Sequence, residues 1–183
     1  MMRAQRIQGL AERQKGATLV IALLILVLIM MIGITAVSTS NTQYKLAGNL
    51  QFEDGAMNNA ETAVATAENW LATGTNYSNA GFITYDSNAP HLYPIGSTAT
   101  MITAPLTTSW SDSNSRSVGS GSQRYQIQLM STNNLLTGSS AVVGRQGAAV
   151  CNKVNTYLIT GRGATSRGAT KYVQSFYSVL SCA

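Results

Sequence analysis

The chain is poor in the residues from which most enzyme sites are built. It holds one histidine, His91, and two cysteines, Cys151 and Cys182, which stand far apart rather than in a Cys-x-x-Cys pair. A zinc site needs three or four clustered Cys, His or carboxylate ligands, so no metal site is expected. No Gly-x-Ser-x-Gly elbow and no Walker-type glycine loop occurs, and Gly161-Arg162-Gly163 lacks the following helix of a dinucleotide site. Gly119-Ser120-Gly121-Ser122 reads as a flexible turn. His91 has Asp86 nearby but sits between Pro90 and Pro94, where a lone loop histidine reads as a surface residue. Neither an enzyme nor a cofactor is expected.

Charge is the next scarcity. Only 10% of the residues are charged, and from Ala17 to Val37 none is. A hydrocarbon core needs about 20 helical residues at ~1.5 Å rise each, so this run is long enough to span a membrane. It is too long for the roughly 7 to 15 apolar residues of a cleaved signal peptide, and it leads directly into more helix-forming sequence. Arg3, Arg6, Arg13 and Lys15 against Glu12 precede the run, and the next basic residue is Lys45. By the positive-inside rule the N-terminus stays cytoplasmic and the rest is exported. The formal charge of +5 belongs largely to this leader, and beyond residue 16 eight basic residues face six acidic ones. Nucleic-acid binding is therefore not expected.

What is present at the start of the run is more specific than hydropathy. Lys15-Gly16-Ala17-Thr18-Leu19-Val20-Ile21 closes a short basic leader and opens an apolar helix. It resembles the class III-type prepilin leader of type IV pilins and type II secretion pseudopilins. The resemblance implies that a prepilin peptidase cuts between Gly16 and Ala17 on the cytoplasmic side, leaving the apolar helix in the mature protein. The family usually begins with Phe or Met and carries Glu at the fifth mature position. Here Ala17 and Ile21 stand in those places, which points to a minor subunit. Further on, Lys45-Leu46-Ala47-Gly48-Asn49-Leu50, then Asn59-Ala60-Glu61-Thr62-Ala63, resembles the N-terminal region of PilX-type minor pilins.

The resemblance implies a long N-terminal helix on a small antiparallel sheet with a C-terminal disulfide, an α+β pilin fold. It also implies a filament subunit that waits in the inner membrane, amid its lipid, and is drawn into the pilus by the assembly platform. The implied partners are other minor pilins, the major pilin and a tip-associated adhesin. In the family the glutamate pairs with the N-terminal amine of the adjacent, earlier subunit. A chain with Ile21 lacks that docking contact but still offers its own amine at Ala17, so a place in a tip or initiation complex is expected. A type II secretion minor pseudopilin is the nearest alternative, and a signal-anchored extracytoplasmic binding domain is the alternative of another class.

Beyond the leader (1–16) and the membrane run (17–37), about 146 residues remain, enough for one modest domain. Residues 38–74 read as the second half of the helix. Leu50, Met57, Val64 and Leu71 recur every seventh residue, with Leu46, Ala60 and Ala67 in neighbouring turns, and predict one apolar stripe. Gly33, Gly48 and Gly55 are places where the helix can bend, and Gly74 is the expected stop.

Residues 75–183 form the exported head. Residues 75–122 hold all three prolines (Pro90, Pro94, Pro105) and read as the loop region between helix and sheet, which the resemblance makes variable and partner-facing. Gly81–Tyr85 and Thr100–Thr103 are its two short strand candidates. Tyr77, Tyr85, Tyr93 and Trp110 read chiefly as anchors of that loop.

In 123–183, Gln123–Met130 alternates, with Tyr125, Ile127 and Leu129 on one face of a half-buried strand. Val154–Thr160 and Lys171–Leu180 read as an antiparallel hairpin, with the turn placed in Gly161–Gly168 and carrying Arg162 and Arg167 as solvated charges. Two cysteines in an exported domain favour one disulfide, Cys151 to Cys182, worth roughly 3 kcal/mol in the chain-entropy model.

Overall fold

The computed structural model describes residues 15–119, 121–135 and 153–181. It divides into two units, residues 1–49 and 50–183. The leader up to residue 14 and both Cys151 and Cys182, hence the expected disulfide, lie outside the described residues.

Helix α1 runs from Lys15 to Ala72, and its first part is all that is described of the first unit. Leu, Ile, Ala and Val make up most of the apolar residues of this part, and Gly33 and Gly48 both lie within the helix rather than ending it. The hydroxyls here turn back on their own backbone. Thr35 Oγ1 donates to the carbonyls of Met31 and Ile32 at 3.1 and 2.9 Å, and Thr39 Oγ1 donates to Thr35 at 2.9 Å. Such back-bonding leaves no hydroxyl demand on an apolar surrounding.

The second unit opens with the rest of α1. The helix stops where Gly74 adopts φ +59°, and Asn76 Nδ2 caps the Trp70 carbonyl at 2.8 Å. Five strands follow: β1 Leu92–Tyr93, β2 Arg116–Val118, β3 Gln123–Leu135, β4 Lys153–Ala164 and β5 Thr170–Ser181. A single helical turn, α2, spans Thr100–Thr103. The sheet order is β1-β3-β4-β5, with β2 also on β3. Strands β3, β4 and β5 are antiparallel, as the alternation predicts. The sheet is nevertheless mixed, because β1 pairs parallel to β3, with Leu92 opposite Ile127.

The region 75–122 departs most from expectation. It supplies two strands and buries Phe82, His91, Leu92, Tyr93, Met101 and Ser115. Both strand candidates there are helical turns. Ala80–Phe82 is a 3-10 turn in which Asn79 Oδ1 accepts the Gly81 N–H at 2.9 Å, and the Ala99 carbonyl accepts the Ile102 and Thr103 N–H groups. Apolar runs this short carry no period, and local capping decides their conformation. Strand β3 is buried on both faces at its centre. Gln126 and Gln128 are both buried, and Gln126 Nε2 donates to the Met101 carbonyl in α2 at 2.9 Å.

The hairpin turn is shorter than the sequence suggested. Gly161 and Gly163 lie inside β4, opposite Val173 and Lys171, and the chain reverses over Thr165–Ala169 with Gly168 at φ +85°. Arg162 faces Tyr172 within the ladder, while the Arg167 guanidinium lies 4.7 Å from the Phe52 ring centroid.

The core is one cluster. Leu71, Leu92, Tyr125, Ile127, Tyr157 and Ile159 are at most 1% exposed, and each such side chain contributes about 1.5–3 kcal/mol by leaving water. The Tyr157 hydroxyl donates to the Tyr77 carbonyl, tying the segment after α1 to the middle of the sheet.

Candidate functional site

In the first unit, every residue from Gly16 to Val37 is exposed. Ile21 is 56% exposed and Leu19 69%, with no carboxylate on this stretch. An exposed apolar surface this large marks an interaction site rather than an ordinary solvated face. It is the one helix among the described residues long and apolar enough to cross a membrane, which by itself is weak evidence of an anchor. Gly16 and Ala17 lie in its first turn, at open positions on the surface. Of the pilin-like motif residues, Ala47 and Asn49 are exposed helix surface and a Cβ on Gly48 would touch nothing within 4 Å.

Ala60 and Glu61, from the same motif, belong to the second unit and part company there. Ala60 is fully buried and Glu61 is exposed. The buried face of α1 is Ala56, Ala60, Ala63, Val64, Ala67 and Leu71. The seven-residue stripe therefore needs correction: Leu46, Leu50 and Met57 are 59%, 51% and 40% exposed. A straight α-helix drifts about 20° per heptad against a strict seven-residue repeat, so that count runs off the contact face. The alanines at 56, 60, 63 and 67 follow the true face, at the alternating steps of four and three that a helix requires.

Small residues on the helix meet absent side chains on the sheet. A Cβ at Gly163 would lie 2.1 Å from the Ala56 carbonyl oxygen, and one at Gly161 would lie 2.6 Å from that of Ala60. Around this contact, Asn59 Nδ2 donates to the Ala164 carbonyl at 2.8 Å and its Oδ1 accepts from Gln123 Nε2 at 3.0 Å. Ser175 Oγ donates to Glu68 at 2.8 Å, and Lys171 pairs with Glu53 at 3.1 Å. The signal was legible in principle, as four alanines at helical spacing and a Gly-x-Gly inside a β-rich run.

His91 is not a surface residue. It is 5% exposed, with ring contacts at 5.6 Å to both Trp70 and Tyr125. Burial, and secondarily the Arg116 charge, lower its pKa from 6.5 to about 4, so it is neutral at pH 7. Sequence reading missed this because it weighed the flanking prolines and not the buried Leu92-Tyr93 pair that carries His91 into the sheet. The loop aromatics do act as anchors. Tyr93 donates its hydroxyl to the Asn114 carbonyl at 2.9 Å, and Trp110 Nε1 donates to that of Pro105 at 2.9 Å. Burial, followed by the neighbouring Tyr85, raises the Tyr93 phenol to about 12.

No group of three or more His, Cys, Asp or Glu that could hold a metal ion occurs among the described residues. Compared with protein-family models, curated proteins and solved structures, the chain matches none.

Proposed function

We propose that the protein is a minor subunit of a type IV pilus-like filament, in which α1 is both membrane anchor and assembly element. The observation that carries this reading is the charge-free helix Ala17–Val37, exposed along its whole length and beginning directly after Lys15-Gly16. Before assembly, lipid of the inner membrane covers this surface; afterwards the helices of other minor pilins and the major pilin cover it. The exported head, an α+β unit in which the end of α1 is fastened to the sheet, presents its loops to neighbouring subunits and a tip-associated adhesin. Ile21 offers no carboxylate to an earlier subunit's amine, and this supports a place at the filament tip.

N-terminal sequencing of the exported protein tests the reading. The mature chain is expected to begin at Ala17, and Gly16→Leu is expected to hold the full precursor in the membrane. An intact residue 1 in assembled filaments would overturn the proposal. For the tip, gold-labelled antibody against the head is expected on filament ends, and deletion is expected to reduce filament number. Dense labelling along the shaft would refute that placement.

A further inference from the structure

Beside the rings that enclose His91 lies a pocket of about 240 Å³, walled by Asn88, His91, Ser115, Arg116 and Ser117. It is smaller than the roughly 300–1,000 Å³ that holds a drug-sized ligand, and so suits a small group. Its one carboxylate is already engaged. Asp112 Oδ1 accepts from Arg124 Nη2 at 2.6 Å, and Arg124 Nη1 donates to Ser115 Oγ at 3.2 Å. Arg116, exposed on β2, has no ion-pair partner among the described residues. Next to it, His91 Nε2 is buried with no hydrogen-bond partner.

We propose that this pocket binds a small oxyanion, a carboxylate or a phosphate group, held by the Arg116 guanidinium against the His91 wall. A planar guanidinium matches either anion through two parallel N–H donors. Ser117 adds a hydroxyl that can donate to a remaining oxygen, whereas Asn88 Nδ2 is held by Asp86 Oδ1 at 3.1 Å and has one N–H left to offer. The groups that act on His91 are Trp70 from α1, Tyr125 from β3 and the Arg116 charge from β2. The carboxylate that lines the same pocket, Asp112, is exposed and paired to Arg124, and Arg116 opposes a proton on the ring. An anion between the two reverses that balance, so its binding draws a proton onto His91. This site is independent of the filament proposal.

The single histidine makes the test direct. In the full chain, held in detergent micelles and labelled at histidine, the His91 ring resonance is followed while sodium phosphate or sodium acetate replaces chloride at constant ionic strength. A saturable shift is expected at about 1–10 mM of at least one of the two, with the apparent pKa of His91 raised by about one unit or more. Saturation with phosphate alone, acetate alone or both identifies the group that the pocket takes. Arg116→Gln is expected to abolish the response, and Arg116→Lys, which keeps the charge but not the fork, to weaken it several-fold. The amide spectrum checks that each variant is folded. No saturable shift with either ion, or an equal shift in Arg116→Gln, overturns the proposal.

Discussion

Gly163→Ala is expected to destabilise the exported unit by about 3 kcal/mol or more, a loss of roughly 10 °C in melting temperature. The new Cβ would stand 2.1 Å from the Ala56 carbonyl oxygen and 2.3 Å from the Ala60 amide nitrogen. Both neighbours are helix backbone, so no rotamer change relieves the clash. Relief comes only if α1 lifts from β4, and that also opens the contacts of Ala60, Ala63 and Ala67 and stretches the Asn59 bonds to Ala164 and Gln123. Gly161→Ala meets the Ala60 carbonyl at 2.6 Å and Val64 Cγ2 at the same distance. Because one of those is a movable methyl, its cost is expected to be smaller than that of Gly163→Ala. Gly48→Ala is the control, since its Cβ meets nothing within 4 Å and gains about 1 kcal/mol of helix propensity. Thermal unfolding of the three variants against the parent decides the matter. An unchanged melting temperature for Gly163→Ala would show that helix and sheet are not in close backbone contact.

The same contact explains which parts of the fold were legible beforehand. The helix, its stop at Gly74 and the three long strands follow from uninterrupted apolar or alternating runs, where each residue repeats its neighbour's message. The buried face of α1 was legible only in part: Ala60, Val64, Ala67 and Leu71 of the expected stripe are buried, whereas Ala56 and Ala63 hardly register in a count dominated by larger apolar residues. Leu50 and Met57 lie off that face, and where α1 passes Gly163 of β4 the backbones approach so closely that the contact is made at Ala56 and Ala60. Gly161 and Gly163 were assigned to a turn for the same reason. A glycine reports that something is missing, and only the partner surface tells whether the space serves a bend or a close approach. The segment 75–122 was illegible on other grounds. Its two strands, of two and three residues, exist only because β3 offers an open edge to pair with, and nothing within Leu92-Tyr93 or Arg116–Val118 announces that edge. Of the candidate site residues, the described ones are found on the helix surface, apart from Ala60, and their roles in processing and assembly rest on the leader's resemblance.

Acidification is expected to weaken the exported unit through His91 in particular. The unfolded chain takes up this proton near pH 6.5 and the folded one only near 4, so between these values the unfolded state binds more protons and is favoured as pH falls. Stability is full above about pH 6.5 and is lost as pH drops through about 4, by ~2–3 kcal/mol in all. The variant supplies the comparison that isolates the imidazole. His91→Phe keeps a flat ring between Trp70 and Tyr125 and removes the unpartnered Nε2. At pH 7.5 it is expected to match the parent or exceed it, since a buried polar atom without a partner is gone. At pH 4.5 it is expected to exceed the parent by about 2 kcal/mol, seen as a displaced urea midpoint with an unchanged slope. If the parent and His91→Phe lose stability in parallel from pH 7.5 to 4.5, the imidazole is not held neutral by the fold. In phosphate the acid loss of the parent is expected to shrink, because an anion beside Arg116 raises the folded pKa of His91.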